Sequence, residues 1–512
     1  MKKLLFIVVL LTIGTVLVGC NPKEQEKLEC KINERLIEDK CVEIAPACPE
    51  NLYYIDGYCE TDPDTIVIDI YYLNDFHGAI LSDDDEIGIA NIANFIKSKR
   101  YVNPNTVVIA GGDMLQGSAM SNYYSGLSTI EFMNIIEFDA FTLGNHEFDW
   151  GIDTVTNYFD GDESNGEANF PLLSSNVFLK NTETPIEHVE PYTIVTLGDI
   201  KIGIIGYLGY GLERSIATSK IEDYEIKSPL DYIAEYTEYL RTVENVDIVI
   251  VSGHDGGGAN AAIESLSGDQ SVDVMFNAHT HTESIDTRDV PELQAGANGE
   301  FVGHVQIKIT NGVITYGTIE NYSLYDSALF DVEDEQAGNL LKSYLFETDP
   351  IFNAPIISSG DSLSKTELSN WITELMRIST ESDIAFHNYG GTRTSIDNGQ
   401  MINLSVLYDV WPFDNAVKTV YLSGSQIKQL MQDNSLASST NITEFINDQE
   451  YKVATNDYVF DKTNYPFING DNPVLTEILI RDLAEIELYL QAEIHTNFST
   501  SNTILFTSEI IN

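Results

Sequence analysis

The stretch FDAFTLGNHEFDWG, residues 138–151, runs from an apolar segment into a cluster of polar side chains: Asn145, His146, Glu147 and Asp149. Gly and Asn at such a break ordinarily mark a turn, and alone the cluster reads as no more than that. Four other segments repeat its grammar: TIVIDIYYLNDFHG (65–78), NTVVIAGGDMLQGS (105–118), VDIVIVSGHDGGG (246–258) and VDVMFNAHTHTES (272–284). Each is a short Ile- and Val-rich run that stops at Gly, Asn, Asp or His. Such runs between helical stretches read as buried strands of an α/β or α+β core. Sites in open sheets of this kind form beyond the carboxyl ends of the strands, so all five breaks are expected on one edge.

The polar residues at those breaks are Asp75 and His77, Asp113, Asn145 and His146, His254, and His279 and His281. Five of the nine histidines fall there; His188, His304, His387 and His495 read as structural. Residues one apart, as in Asp75-x-His77 and His279-x-His281, point the same way from an extended chain. With no Cys in the set, imidazole and carboxylate suit Zn, Mn, Fe or Co. Seven or more ligands exceed one tetrahedral site, so two divalent ions are the economical reading. Ions about 3.5–4 Å apart suit in-line displacement at phosphorus.

In that order NDFHG, GGDMLQGS, GNHEFD, GHDGG and HTHT resemble the calcineurin-like metallophosphoesterases, in particular the exported 5'-nucleotidase and UDP-sugar hydrolase branch. The resemblance runs from about residue 65 to near the C-terminus. It implies a four-layer β-sandwich flanked by helices over 64–329, and an α/β C-terminal domain over 358–512 that binds the nucleoside. It further implies that Asp75, His77, Asp113 and His281 hold one metal and Asp113, Asn145, His254 and His279 the other, with Asp113 bridging. His146 would face substrate with Asp149 as its partner, leaving Glu147 and Asp139 structural. Ala278 and Gly253, which precede His279 and His254, are small departures that spare the ligands.

Residues 330–357 open acidic and show helical spacing through Leu340, Leu341, Tyr344 and Leu345, which predicts a helix linking the domains. Beyond it, SDIAFHNYGGTRTSIDNG (382–399) and the WPFDN of 411–415 resemble the family's C-terminal domain. That resemblance implies ligand contacts from Asn388, Gly391, Arg393, Phe413 and Asn415, with Tyr458 ahead of Phe460 as the second half of an aromatic clamp. An Arg suits phosphate through its paired donors. The chain departs from the family at DKTNYP (461–466), which lacks a Gly-Gly-Asp, and at SGDSLSKTELSNWI (359–372), where Lys365 is the only basic residue. Substrate identity therefore stays open between 5'-nucleotides, UDP-sugars and 2',3'-cyclic nucleotides. A reading of another class is a surface nucleotide-binding lipoprotein that no longer turns over; eight intact site residues argue against it.

The chain's 512 residues exceed one ordinary core, and 43% hydrophobic content suffices for two. A formal charge of -53 leaves no basic footprint for nucleic acid or anionic headgroups. An anionic substrate must then be received by local cations. The opening MKKLLFIVVLLTIGTVLVGC (1–20) reads as an export signal. Its LVGC resembles a bacterial lipoprotein signal, implying lipidation at Cys20, a polar tether at 21–29, and membrane attachment through lipid alone, outside the cytoplasm. Cys30, Cys41, Cys48 and Cys59 form two units with the same ten-residue gap within 30–60, each reading as one disulfide-linked hairpin. The sequence carries no reading of oligomeric state.

Overall fold

The computed structural model describes residues 34–37, 40–43, 53–55, 58–60, 65–83 and 85–508. The signal, the tether, Cys20, Cys30 and Cys48 lie outside the described residues. Each cysteine unit contains an antiparallel strand pair, Glu34–Ile37 with Lys40–Glu43 and Tyr53–Ile55 with Tyr58–Glu60. Among the described residues no helix is long and apolar enough to cross a membrane.

Two sheets stack at the centre of the first domain. One has seven strands, in the order Val189–Glu190, Leu172–Leu173, Ala140–Thr142, Thr106–Ala110, Thr65–Leu73, Phe301–Thr310 and Val313–Ser323. The other has six: Tyr192–Leu197, Ile200–Leu208, Ile248–His254, Val274–Asn277, Glu292–Ala295 and Glu283–Asp286. Both are parallel through the middle. The pleat explains why these strands read as near-continuous apolar runs. Along Thr65–Leu73, Ile68, Ile70 and Tyr72 enter the layer between the sheets, where they meet Ile204, Ile250 and Phe276. Tyr71 and Leu73 point the other way, into a second layer beneath helices Ile89–Val102 and Leu127–Ile136. Helix Leu230–Tyr239 covers the far face of the six-stranded sheet. The result is a helix–sheet–sheet–helix sandwich.

The five breaks leave from two sheets, not one edge. Three follow strands of the seven-stranded sheet, and two follow Ile248–His254 and Val274–Asn277 of the other. Their carboxyl ends are drawn together by bonds that cross between sheets: Tyr72 Oη donates to the Asn277 carbonyl at 3.0 Å, and Thr142 Oγ1 to Ser252 Oγ at 2.7 Å. Sequence-local strand patterning cannot tell which sheet a strand joins, so the single edge becomes a mouth between two.

The helix expected within 330–357 spans Glu335–Phe352, capped by the Asp334 side chain, which accepts from the Ala337 N–H. Its Leu340, Leu341, Tyr344 and Leu345 lie against the first domain's helical layer, so its apolar stripe completes that layer as well as joining the domains. The second domain is a five-stranded sheet in the order Leu436–Thr440, Ile384–Asn388, Glu450–Asn456, Ala416–Ser423 and Asp471–Leu479. Helices Lys365–Ser379 and Ile480–Ile494 cover one face and Gly424–Leu430 the other. Ser364 and Glu367 begin the first of these helices as a reciprocal capping pair.

Candidate metal centre and substrate cavity

Asp75, His77, Asp113, His279 and His281 hold backbone φ angles of 47°, 50°, 52°, 79° and 55°. Left-handed backbone costs a residue with a side chain about 1–2 kcal/mol, so five such residues at one mouth mean that the surrounding loops are built to aim them. The aiming contacts are visible. Glu147, fully buried, accepts the backbone N–H groups of Asp113, Met114 and Gly144 at 2.9, 3.0 and 2.8 Å, tying the second break to the third. Gly144 permits this approach, since a Cβ there would stand 2.3 Å from Asp113 Oδ1. Asn74 donates to Asp75 Oδ2 at 2.7 Å and to the Gly296 carbonyl at 2.8 Å while accepting from the Ala295 N–H. Asn74 sits inside a quoted motif, yet its side chain chemistry alone gave no reason to single it out.

The aimed side chains form two trios whose ligand atoms all lie within 4.8 Å of one another: Asp75, His77 and His281, and Asp113, His254 and His279. Asn145 joins the second, its Oδ1 3.2 Å from His254 Nε2. Asp113 stands in the second trio, where Oδ2 is 3.0 Å from His254 Nε2 and Oδ1 accepts the His146 N–H at 2.8 Å.

The residues fit divalent ions on their own chemistry. His77 Nδ1 faces the Gln116 carbonyl at 2.7 Å and His254 Nδ1 the Gly111 carbonyl at 2.9 Å, so each carries its N–H there and directs the Nε2 lone pair inward. His77 Nε2 then meets His281 Nε2 at 3.2 Å. Burial holds His77 down to about 3 and His281 to about 4, which keeps both imidazoles neutral, as ligands must be. Burial also works against a charge on His254, but Asp113 outweighs it and lifts that imidazole to about 10. Asp113 Oδ2 stands 3.0 Å from His254 Nε2, so without metal a proton would answer that carboxylate, and a bound cation would take over the same role. The donor set of carboxylate, imidazole and amide oxygen contains no thiolate.

His146 lies beside these trios without belonging to either. Its Nδ1 is 2.8 Å from Asp149 Oδ2. Burial alone depresses the imidazole, but the Asp149 and Asp113 carboxylates outweigh it and hold it at about 9. The His146 ring stacks on Phe413 of the second domain, with centroids 5.6 Å apart and planes 20° from parallel. The loop carrying Phe413 is fixed from the first domain, for Gln116 and Asn122 both donate to the Pro412 carbonyl, at 2.9 and 2.8 Å.

A cavity of about 550 Å³ opens between the domains over this pair. Asn388, Arg393, Phe413, Asn415 and Tyr458 line it together with Asp113, Asn145, His146, Asp149, His279 and His281. Gly390 lines it where the sequence pointed to Gly391; Gly391 is buried behind, against the His387 ring. Phe460, the second choice for the clamp, is buried in the core with the Lys418 ammonium 3.8 Å from its ring centre. His387 is buried as expected, but it also acts through a neighbour. Asn456 Nδ2 reaches His387 Nδ1 at 3.1 Å and donates to Asn388 Oδ1 at 2.9 Å, which leaves the Asn388 amide nitrogen for the cavity. Trp150, Lys220 and Asp457 line the cavity too; Trp150 lies in the opening stretch and Asp457 beside Tyr458, but nothing in their chemistry singled them out, and Lys220 stands in no motif.

Residues 68–283 match the calcineurin-like phosphoesterase family, and residues 349–447 match the 5'-nucleotidase C-terminal domain. The chain is 26% identical to endonuclease YhcR of Bacillus subtilis over 398 residues, covering 71% of this chain and 32% of that protein. It is 25% identical to cell wall protein Lmo0130 of Listeria monocytogenes over 506 residues, covering 78% of this chain and 63% of that one. The chain thus spans about a third of the first relative and under two thirds of the second. It is 25% identical to the 5'-nucleotidase of Bos taurus over 437 residues, 77% of this chain and 72% of that protein. In fold it is similar to a 5'-nucleotidase precursor from Thermus thermophilus, with a TM-score of 0.69 and 20% identity over 83% of this chain and 97% of that one. With the phosphoesterase domain carrying both ligand trios and the nucleotidase domain closing the cavity above them, the chain joins a calcineurin-like phosphoesterase domain to a 5'-nucleotidase C-terminal domain and is homologous to the metal-dependent 5'-nucleotidases.

Proposed function

We propose that the protein is a dinuclear phosphohydrolase that releases phosphate from nucleotides as a 5'-nucleotidase, serving nucleoside and phosphate salvage. The observation that carries this reading is the stack of Phe413 on His146. It joins an aromatic surface suited to a base, from one domain, to an acid–base group beside two metal trios of the other. Asp75, His77 and His281 would hold one ion and Asn145, His254 and His279 the second, with Asp113 shared between them. Zn or Mn suits this set best, with Fe and Co as alternatives. When bound, two such ions supply Lewis acidity toward the phosphoryl oxygens and lower the pKa of the attacking water.

The chain's own residues do the rest. His146, charged through Asp149, donates to a phosphoryl or leaving-group oxygen as negative charge builds there. Arg393 reaches the phosphate side, its guanidinium 5.9 Å from the Phe413 ring centre. Phe413 and Tyr458 take the base, and Asn388 and Asn415 offer amides to the nucleoside. Closure between the domains excludes bulk water and strengthens these contacts.

Phosphate release from AMP, UDP-glucose and 2',3'-cyclic AMP tests the reading, with Mn or Zn supplied and with chelator. AMP hydrolysis that disappears with chelator and returns with added metal is expected. A metal-loaded protein that releases phosphate from none of the three would sink it.

The same proposal extends to place. The LVGC at 17–20 supports cleavage before Cys20, lipidation of that residue and residence on the outer side of a membrane, with Cys30–Cys41 and Cys48–Cys59 disulfides just beyond the tether. Intact-mass measurement of membrane-extracted protein should find a chain that begins at a lipid-modified Cys20; an uncleaved Met1 would refute the anchor.

A further inference from the structure

Two cationic side chains line the cavity without a hydrogen bond or ion pair among the described residues. Arg393 comes from the second domain and lies beside Phe413. Lys220 comes from the first domain, half-buried at the end of the short helix Thr218–Ile221. Lys99 is likewise half-buried without a hydrogen bond or ion pair, but its ammonium lies over the Phe95 and Tyr322 rings, whereas that of Lys220 has no such cover among the described residues. Elsewhere in the same two domains Lys97, Arg241, Lys418 and Arg481 each pair with a carboxylate. The cavity that Lys220 lines is where a ligand could supply the missing partner.

The wall that carries Lys220 is held in place. Thr218 Oγ1 donates to the Asp461 carbonyl at 2.8 Å, and Lys462 Nζ donates to the Arg214 carbonyl. Both bonds join segment 212–221 of the first domain to the second domain beside Tyr458, whose ring centre is 4.0 Å from the Lys462 ammonium. Lys462 is thereby occupied, and Lys220 is left free. Its ammonium stands 4.0 Å from where a Cβ on Gly151 would be, two residues past Asp149. Lys220 therefore reaches over the turn that carries His146 and Asp149, into the same cavity. Ser215, on the same wall, also lines it.

A monophosphate would place its one anionic group at the metal trios and leave Lys220 unmatched. A ligand with two phosphates would match both, the ammonium acting as a point charge with rotatable donors. We propose that Lys220, with Ser215 beside it, is a second phosphate-recognition point that makes the cavity select nucleotides bearing two or more phosphates over monophosphates. The proposal rests on the nucleotidase reading above and specifies the substrate class for that site.

Steady-state hydrolysis of ADP and AMP by the metal-loaded full chain tests it, in wild type, Lys220→Ala and Lys220→Arg. Calorimetric binding of α,β-methylene-ADP gives a readout that does not depend on turnover. Loss of one charge-assisted contact should lower the ratio of kcat/KM for ADP to that for AMP by about 10- to 100-fold in Lys220→Ala, mainly through KM for ADP. Binding of the methylene analogue should weaken in step, and Lys220→Arg should recover most of both. An unchanged ratio with unchanged analogue binding overturns the role of Lys220 while leaving the nucleotidase reading standing. A wild-type protein that neither hydrolyses nor binds any of these nucleotides removes both.

Discussion

His146→Ala is expected to lower kcat by about 10²–10⁴-fold while the protein keeps its full metal content. The geometry separates the two readouts. The imidazole is adjacent in sequence to Asn145, but its Nδ1 is committed to Asp149 at 2.8 Å and it belongs to neither trio. Truncation at Cβ therefore removes a proton donor without removing a donor to an ion. The His146 backbone N–H, which binds Asp113 Oδ1, is untouched by the substitution. Asp113 keeps its orientation, and the trios should load as in wild type. KM should move less than kcat, since an interaction made as charge develops lowers the barrier more than it aids ground-state binding. The Phe413 stack would be lost as well, so a modest KM rise is consistent. Paired measurement of kcat and of metal by elemental analysis decides the matter. A metal-depleted His146→Ala would make the residue a ligand, and a wild-type rate would make it a bystander.

Much of this centre is legible in the sequence because ligand chemistry is written locally. An apolar strand that stops at Asp, Asn or His declares both a buried strand and what stands at its end, and five such endings exclude coincidence. What joins the endings is written nowhere local. The bond from Tyr72 to Asn277 spans 205 positions, and it is one of the contacts that turn one expected edge into a mouth between two sheets. Residues of mixed duty are half-legible. Glu147 reads as structural from its place beside His146, yet its three backbone N–H bonds set the Asp113 loop that both trios depend on. His387 reads as core and is core, but only the structure shows Asn456 passing its influence to Asn388. Lys220 lies on a stretch with no repeat and no motif, Trp150 and Asp457 sit beside motif residues without declaring a role, and the cavity makes the three neighbours. The 330–357 helix shows the opposite limit. Its stripe is readable, whereas the helices it covers lie far back along the chain: Tyr344 donates to Glu131, 213 residues away, at 2.6 Å.

Asp113→Asn should be more damaging than His146→Ala, and in a different way: kcat falling by about 10³-fold or more with metal lost from the protein. Asp113 is fully engaged on both oxygens, Oδ2 against His254 Nε2 at 3.0 Å and Oδ1 on the His146 N–H at 2.8 Å. An amide of nearly the same shape can keep the second contact through its Oδ1. It cannot keep the first, because an uncharged group no longer offsets a cation in a buried site. Burial favours the neutral form of Asp113, yet His254 and His146 outweigh it and hold the carboxyl well below the usual range, so the native residue is the anionic anchor of the site. If Asp113 also reaches the Asp75, His77 and His281 trio as the proposed shared ligand, both ions weaken at once, and several kcal/mol of transition-state stabilisation go with them. Metal content distinguishes the cases. Loss of about one equivalent leaves Asp113 as a ligand of the second trio alone, loss approaching two makes it the shared carboxylate, and full loading at reduced rate would remove it from the ligand set. Folding is checked separately: without metal the substitution removes the buried counter-charge of His254, so thermal unfolding of the chelated variant should come several degrees lower than that of the chelated wild type, and metal content and rate are compared well below that transition.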